Sequence, residues 1–192
     1  MRSMMRRMDE TPQTDAALVA GVAAGDSAAF SALVDRHHAR IVALASRILM
    51  DGSAAEDIVQ EAFLRLWRRP NAYDPARGAF SAWIKRVVVN LCLDRKRMIR
   101  PVEDLDAVAE TAGDTPTPEQ AALANDRAAR LHAALLDVPA RQRAALALFY
   151  VDGLSMAEVA HAMETQPKAV ESLLSRGRAH LKALLTPLKE AL

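Results

Sequence analysis

Four groups of polar residues in this 192-residue chain have the types and spacing to do chemistry. Asp35-Arg-His-His38 and Glu158-Val-Ala-His161 each set a carboxylate and a histidine at i, i+3, the spacing of metal-carrying helical bundles. Such a centre needs carboxylates from two further helices. Glu158 is moreover claimed by Ser155-Met-Ala-Glu158, which has the form of a capping box. No metal and no cofactor is therefore expected, and His37, His38, His132 and His180 read as surface or boundary residues. The third group is Glu56, Asp57, Gln60 and Glu61, followed by Arg65, Arg68 and Arg69. Acids first and bases last suit a helix dipole, as on the solvent face of a well-made surface helix. The fourth is Lys168, Ser172, Ser175, Arg176 and Arg178, residue types that suit phosphates and base edges, with Glu171 set among them. No phosphate-cradling glycine loop or nucleophile elbow occurs, so the chain is not expected to be an enzyme.

Helices must position these groups. Ile58, Val59, Ala62, Phe63, Leu66 and Trp67 form one apolar stripe on a helix carrying the third group. An earlier helix begins near Asp26 or Ser27, both good N-caps, and runs to about Met50 with Phe30, Leu33, Val34, Ile41, Leu44 and Ile48 inward. After a broken loop, Pro70–Gly78, the residues Phe80, Trp83, Ile84, Val87, Val88 and Leu91 mark another helix, which ends in Asp94-Arg-Lys-Arg97. Phe80 and Trp83 lie in that core stripe and are read as packing residues, and Asp94 as a partner for a nearby arginine. Further on, Pro139 opens a helix that Gly153 stops. A short helix from Met156 to about Met163, a tight turn and a longer helix from Pro167 then make a helix-turn-helix pattern.

The composition agrees with an all-α chain of two small helical domains joined by a flexible acidic linker, the second domain a helix-turn-helix. Half of the residues (51%) are hydrophobic, but only 4% are aromatic and seven are glycine, which disfavours a sandwich or barrel. The net charge of +1 hides a pattern. Residues 1–100 carry a balance of +5, residues 101–126 a balance of −7 with no Lys or Arg, and residues 127–192 a balance of +3. Two basic lobes flank an acidic strap. Periodicity vanishes between Met98 and about Pro118, as in a linker. The lone Cys92 fits a buried thiol and a reducing cytoplasm. No apolar run approaches the roughly 20 residues that span a bilayer, so no membrane insertion is expected. The basic start Met1–Met8 lacks the apolar stretch of a signal peptide.

The order of these pieces resembles the extracytoplasmic-function sigma factors of bacterial RNA polymerase. Ala55–Trp67 is similar to that family's polymerase-binding helix, and Gly78–Arg97 to its promoter-melting, −10-reading segment. Leu136-Asp-Val-Pro139, Arg141-Gln-Arg143 and Gly153–Ala160 resemble its −35-reading domain. The resemblance implies a tail over 1–24, disordered or partly helical, then region 2 over 25–97, a linker over 98–124 and region 4 over 125–192. It implies that Asp57, Gln60 and Glu61 grip the clamp of the largest subunit of core RNA polymerase. Asn71 and Arg77 would cradle a flipped base of the melted −10 element, and Asn90 would touch its neighbour. Lys85, Arg86, Arg95 and Arg97 would hold phosphates, while Tyr73 either stacks on a base or packs on its own lobe. Lys168, Ser172, Ser175, Arg176 and Arg178 would meet the duplex −35 element. In this chain the family's turn glycine is replaced around Met163-Glu164, and two positions usually basic are Glu171 and Leu173. The implied function is promoter-specific transcription initiation, held in check by an anti-sigma factor. The rival reading is a self-sufficient helix-turn-helix repressor or activator, which would use its first lobe for a ligand or for dimerisation.

Overall fold

The computed structural model describes residues 13–99 and 131–185, so residues 100–124 of the expected linker and both chain ends lie outside the described residues, while 98 and 99 end a helix. Seven helices are named: α1 Asp15–Ala23, α2 Ser27–Leu49, α3 Gly52–Arg68, α4 Phe80–Ile99, α5 Ala140–Leu146, α6 Met156–Ala162 and α7 Pro167–Leu185. Residues 131–137 are also helical.

The first lobe begins earlier than the sequence suggests. Residues 15–23 form α1, and Leu18, Val19 and Val22 are buried in the core. The partly helical alternative therefore describes this stretch, but as part of the core rather than a tail. Its Gly21 allows a close crossing, because a Cβ there would stand 2.8 Å from the Cβ of Ala29 on α2. Asp15 ties the two helices with an ion pair to Arg36 and a 2.9 Å contact to His37 Nε2. His37 is buried rather than on the boundary, with its ring edge-on to Phe80. His38 does sit nearer the surface and meets Glu56 across α2 and α3 at 3.2 Å.

Helix α2 starts where Asp26 Oδ1 accepts from the amides of Ala28 and Ala29, which meets two donors that the first turn leaves unpaired. Asp51 caps α3 in the same way through the amide of Ala54. The expected stripes are inward, with Leu33, Ile41, Leu44, Ile48, Val59 and Leu66 nearly inaccessible. Burial of such a side chain contributes roughly 1.5–3 kcal/mol. Trp67 departs from its stripe: it is 39% exposed and lies 5.1 Å from the ring of Phe30.

In the second lobe, α5 continues into a π-helical turn, Ala147–Val151, closed where the backbone N–H of Asp152 donates to Ala147 O. Ser155 and Glu158 make the capping box of α6 in both directions. The turn from α6 to α7 closes by two bonds, Glu164 N to His161 O and Thr165 N to Ala160 O. That is a Schellman arrangement, which needs a left-handed residue after the cap. Gly25 fills this place after α1 with φ +84°, whereas here it is Glu164, at φ +49°. A carboxylate thus stands where glycine would be unstrained.

The lobes touch. Helix α5 packs on α2 and α4, α6 packs on α4, and the buried apolar residues of both lobes form one continuous cluster. Arg143 joins them at the centre. It is buried, and its Nε donates to Ile48 O of the first lobe at 2.9 Å. Its Nη1 donates to Val138 O, Leu135 O and Leu136 O at 2.6, 2.8 and 3.2 Å.

Candidate polymerase and nucleic-acid interfaces

The exposed face of α3 changes sign along its length. Asp57 and Gln60 are exposed and Glu61 half-buried, and they share one side of the helix over successive turns. Glu61 pairs with Arg65 at 2.8 Å, and Asp57 with Arg95 of α4 at 3.5 Å. Between the acids and the arginines stands Leu64, 39% exposed. The sequence reading passed over it, since it falls outside the buried stripe. An apolar side chain ringed by charge is the usual form of an interface anchor.

Beyond Leu64 the face turns basic and runs into a cleft of about 550 Å³ between α3, the turn after it and α4. Arg65, Arg68 and Arg69 line one wall, and Trp83, Arg86 and Asn90 of α4 the other. Arg65 and Arg68 of α3 and its C-cap Arg69 thus share one basic wall. Glu164, from the turn of the helix-turn-helix, completes the rim.

Of the expected −10 contacts, Arg86 and Asn90 stand in this cleft, and Asn71 and Arg77 are exposed on the neighbouring loop. Lys85 faces the second lobe and pairs with Asp152 at 2.6 Å. Arg95 is turned to Asp57, and Arg97 to Asp94 at 3.2 Å. Tyr73 is removed from the base-facing set: it is buried, its ring lies 5.4 Å edge-on from Phe80, and its hydroxyl donates to Gly78 O. Burial, helped by the charges of Asp15 and Asp74, raises its pKa. The packed alternative explains the residue, because this contact closes the loop that presents Asn71 and Arg77. Phe80 is buried as expected, whereas Trp83 is half-buried, 5.6 Å from Phe80, and gives the cleft its aromatic wall.

In the second lobe Lys168, Ser172, Ser175, Arg176 and Arg178 are all exposed along α7, opposite its buried Val170 and Leu174. Glu171 is exposed in the same row, while Leu173 is half-buried. Arg178 donates to the Tyr150 hydroxyl at 3.2 Å. Glu158 belongs to the cap: the Ser155 hydroxyl, then its amide, hold the carboxyl below its ordinary pKa, and Lys85 lowers it further. Among the described residues no group of three or more His, Cys, Asp or Glu side chains is gathered for a metal ion.

Comparison with known proteins supplies the family. Residues 33–100 match the Sigma-70 region 2 model and residues 128–181 the Sigma-70 region 4 model. The chain is 33% identical to the ECF RNA polymerase sigma factor SigW of Bacillus subtilis, over 85% of this chain and 92% of that protein. A solved structure of CnrH in complex with the cytosolic domain of CnrY superimposes with a TM-score of 0.64 at 28% identity, covering 91% of this chain and 99% of that one. A structure of the sigma factor RpoE of Bartonella quintana, in complex with the anti-sigma factor NepR, has the same fold at 20% identity and a TM-score of 0.60, over 82% of this chain and 96% of that one. An acidic face on α3, a basic aromatic-walled cleft and a helix-turn-helix thus stand in the order of two matched regions, and the chain belongs to the extracytoplasmic-function sigma factors of RNA polymerase.

Proposed function

We propose that α3 couples polymerase docking to promoter opening. As a sigma factor the protein directs RNA polymerase to its promoters and is not itself a catalyst. In our reading, Asp57, Gln60, Glu61 and the apolar Leu64 seat on the clamp of the largest polymerase subunit. Charge there steers and fixes register, while Leu64 supplies the desolvated centre. The basic end of the same helix walls the cleft that receives the melted −10 strand. Guanidinium groups attract its phosphates, Trp83 offers an aromatic face, and Asn90 can read a base edge. Arg77 and Asn71 stand at the loop beside it. On α7, Lys168, Ser172, Ser175, Arg176 and Arg178 meet the −35 duplex, with Glu171 able to accept from a cytosine amino group. Arg95 and Arg97 guide phosphates once released from Asp57 and Asp94. The observation that carries this reading is the continuity of one helix face from acidic dock to basic cleft.

The protein works in the cytoplasm beside RNA polymerase, under an anti-sigma factor that covers these faces. The similarity to CnrH, solved with the cytosolic domain of CnrY, supports such a partner. Two variants test the division of labour along α3. Leu64→Asp should abolish co-elution with core polymerase. Arg86→Ala with Asn90→Ala should co-elute normally, yet fail to give permanganate-reactive thymines at the start site. Equal loss of both properties in both variants would contradict the assignment.

A further inference from the structure

The loop that presents Asn71 and Arg77 has little of its own to hold it. Its backbone bonds are local: Ala72 N–H donates to Arg69 O, Tyr73 N–H to Pro70 O and Arg77 N–H to Asp74 O. Of the described residues 70–79, Tyr73 alone is buried. Its hydroxyl reaches Gly78 O at 3.1 Å, where φ of +137° suits glycine. Its ring meets Phe80 and Trp83 at 5.4 and 6.0 Å. Behind Phe80 stands His37 of α2, its ring 5.1 Å away. His37 Nε2 lies 2.9 Å from Asp15 Oδ2; an ionised carboxylate only accepts, so this nitrogen carries the proton. Asp15 also pairs with Arg36, and α1 packs on Pro70–Ala72. Burial first, then the charge of Asp15, raise the Tyr73 pKa, which places the carboxylate within electrostatic reach of the hydroxyl. One chain of contacts thus runs from the first turn of α1, through His37, Phe80 and Tyr73, to the loop and to the aromatic wall of the cleft.

We infer that Asp15 and His37 are positioning residues for strand capture, so that α1 sets the −10 loop without touching DNA. This rests on the −10 assignment of Asn71, Arg77 and Trp83 above and adds the residues that hold them in place. The ring of His37 keeps one tilt because its Nε2 is tied. Rings packed edge-on in a close-packed core transmit that tilt rather than absorb it. Without the tie the imidazole turns about its Cβ–Cγ bond, Phe80 loses its wall, and Tyr73 no longer closes the loop in one geometry. A flipped base needs a preformed receptor, since the cost of unstacking is met only by contacts ready to receive it. Simple electrostatics makes the opposite prediction. Asp15 is an acid beside a DNA-facing loop, so its removal would tighten phosphate contacts if charge alone acted. A loss of opening on removal of an acid is therefore diagnostic of position.

The test uses the full chain in holoenzyme with core polymerase, on a promoter it opens. Asp15→Ala and His37→Phe each cut the tie. Both should co-elute with core polymerase and form closed complexes normally. Both should slow permanganate-detected opening roughly tenfold, the scale of one lost hydrogen bond to a charged group. The double variant should be no slower than Asp15→Ala, because both changes break one contact. Asp15→Asn keeps an oxygen acceptor and should recover most of the rate. A spectroscopic signature follows the loop directly: with 3-fluorotyrosine incorporated, Tyr73 and Tyr150 give the two signals, told apart by Tyr150→Phe. The Tyr73 signal should shift and broaden in Asp15→Ala and stay in place in Asp15→Asn. Opening at the native rate or faster in Asp15→Ala, an unmoved Tyr73 signal, or a parallel loss of core binding would overturn the inference. The −10 assignment is judged separately by Asn71→Ala with Arg77→Ala. Normal opening in that variant removes the assignment, while the fluorine spectra still decide whether Asp15 orders the loop.

Discussion

Replacing Arg143 by Met keeps most of the side-chain volume and removes the guanidinium donors at the centre of the junction. Four carbonyls lose this donor: Ile48 O in the first lobe, and Leu135 O, Leu136 O and Val138 O at the end of the helix over 131–137, of which Leu135 O keeps the amide of Val138 at 3.3 Å. The other two at that end are carbonyls that a helix terminus leaves unpaired, where a cation is also favoured by the dipole. Hydrogen bonds to a charged group are each worth about 1.5–3 kcal/mol, but four on one guanidinium are not additive. Carbonyls keep a second lone pair, and relaxation admits some water, so about 1 kcal/mol for each is the sounder figure. The sum, about 3–4 kcal/mol, is a large share of a typical 5–15 kcal/mol stability. Arg143→Lys retains one compact charge and should recover less than half, because it cannot fork between carbonyls. Urea unfolding of the full chain, followed by circular dichroism with a common slope, measures both variants. A loss below about 1 kcal/mol for Arg143→Met would refute the view that this residue organises the junction.

Four other outcomes follow from contacts elsewhere in the molecule. In thermal melts Gly21→Ala should destabilise the protein by up to about 2 kcal/mol: overpacking against the rigid Cβ of Ala29 costs roughly 1–3, and the better helix propensity returns about 1. Gly177→Ala, whose new Cβ would meet the movable tip of Leu146 at 2.9 Å, should cost less in the same thermal melts. Glu158 has its carboxyl held below the ordinary range, so its stabilising effect is present above that range and is lost as pH falls through the lower, folded value. Ser155→Ala should therefore flatten the fall in stability as pH drops below the ordinary glutamate range, and an unchanged acid limb in pH-dependent unfolding would contradict the cap. Cys92 is buried, and desolvation raises its thiol to about 12 despite Arg95 nearby. It should resist a disulfide reagent at pH 8 in the native chain and react promptly in urea; fast native labelling would be inconsistent with this core.

The helices that position the interfaces were legible because each carries a stripe with helical period: α2, α3, α4 and α7 fall close to their expected bounds. The capping box of α6 could be read letter by letter. Helix α1 escaped because Leu18, Val19 and Val22 sit among alanines and Gly21, apolar on all sides with no stripe to detect. The polar face of α3 was visible, but Leu64 was not, since exposure of one leucine depends on where neighbouring helices stop. The role of Arg65, Arg68 and Arg69 as a cleft wall needed the position of α4. Least legible were Asp152 and Glu164. Their partners, Lys85 and the arginine cleft, lie many tens of residues away in sequence, and only the docking of one lobe on the other brings those charges together. The departure from the family at Met163-Glu164 could be seen as an anomaly. Its meaning came from the left-handed backbone and the basic surface opposite.

The most direct measurement is run-off transcription with core RNA polymerase on a promoter library, with and without this protein. A discrete set of start sites should appear only when it is added, while the protein alone holds the same duplexes weakly. Absence of any specific product, together with tight binding of an operator by the isolated chain, would contradict the account and favour a self-sufficient helix-turn-helix regulator.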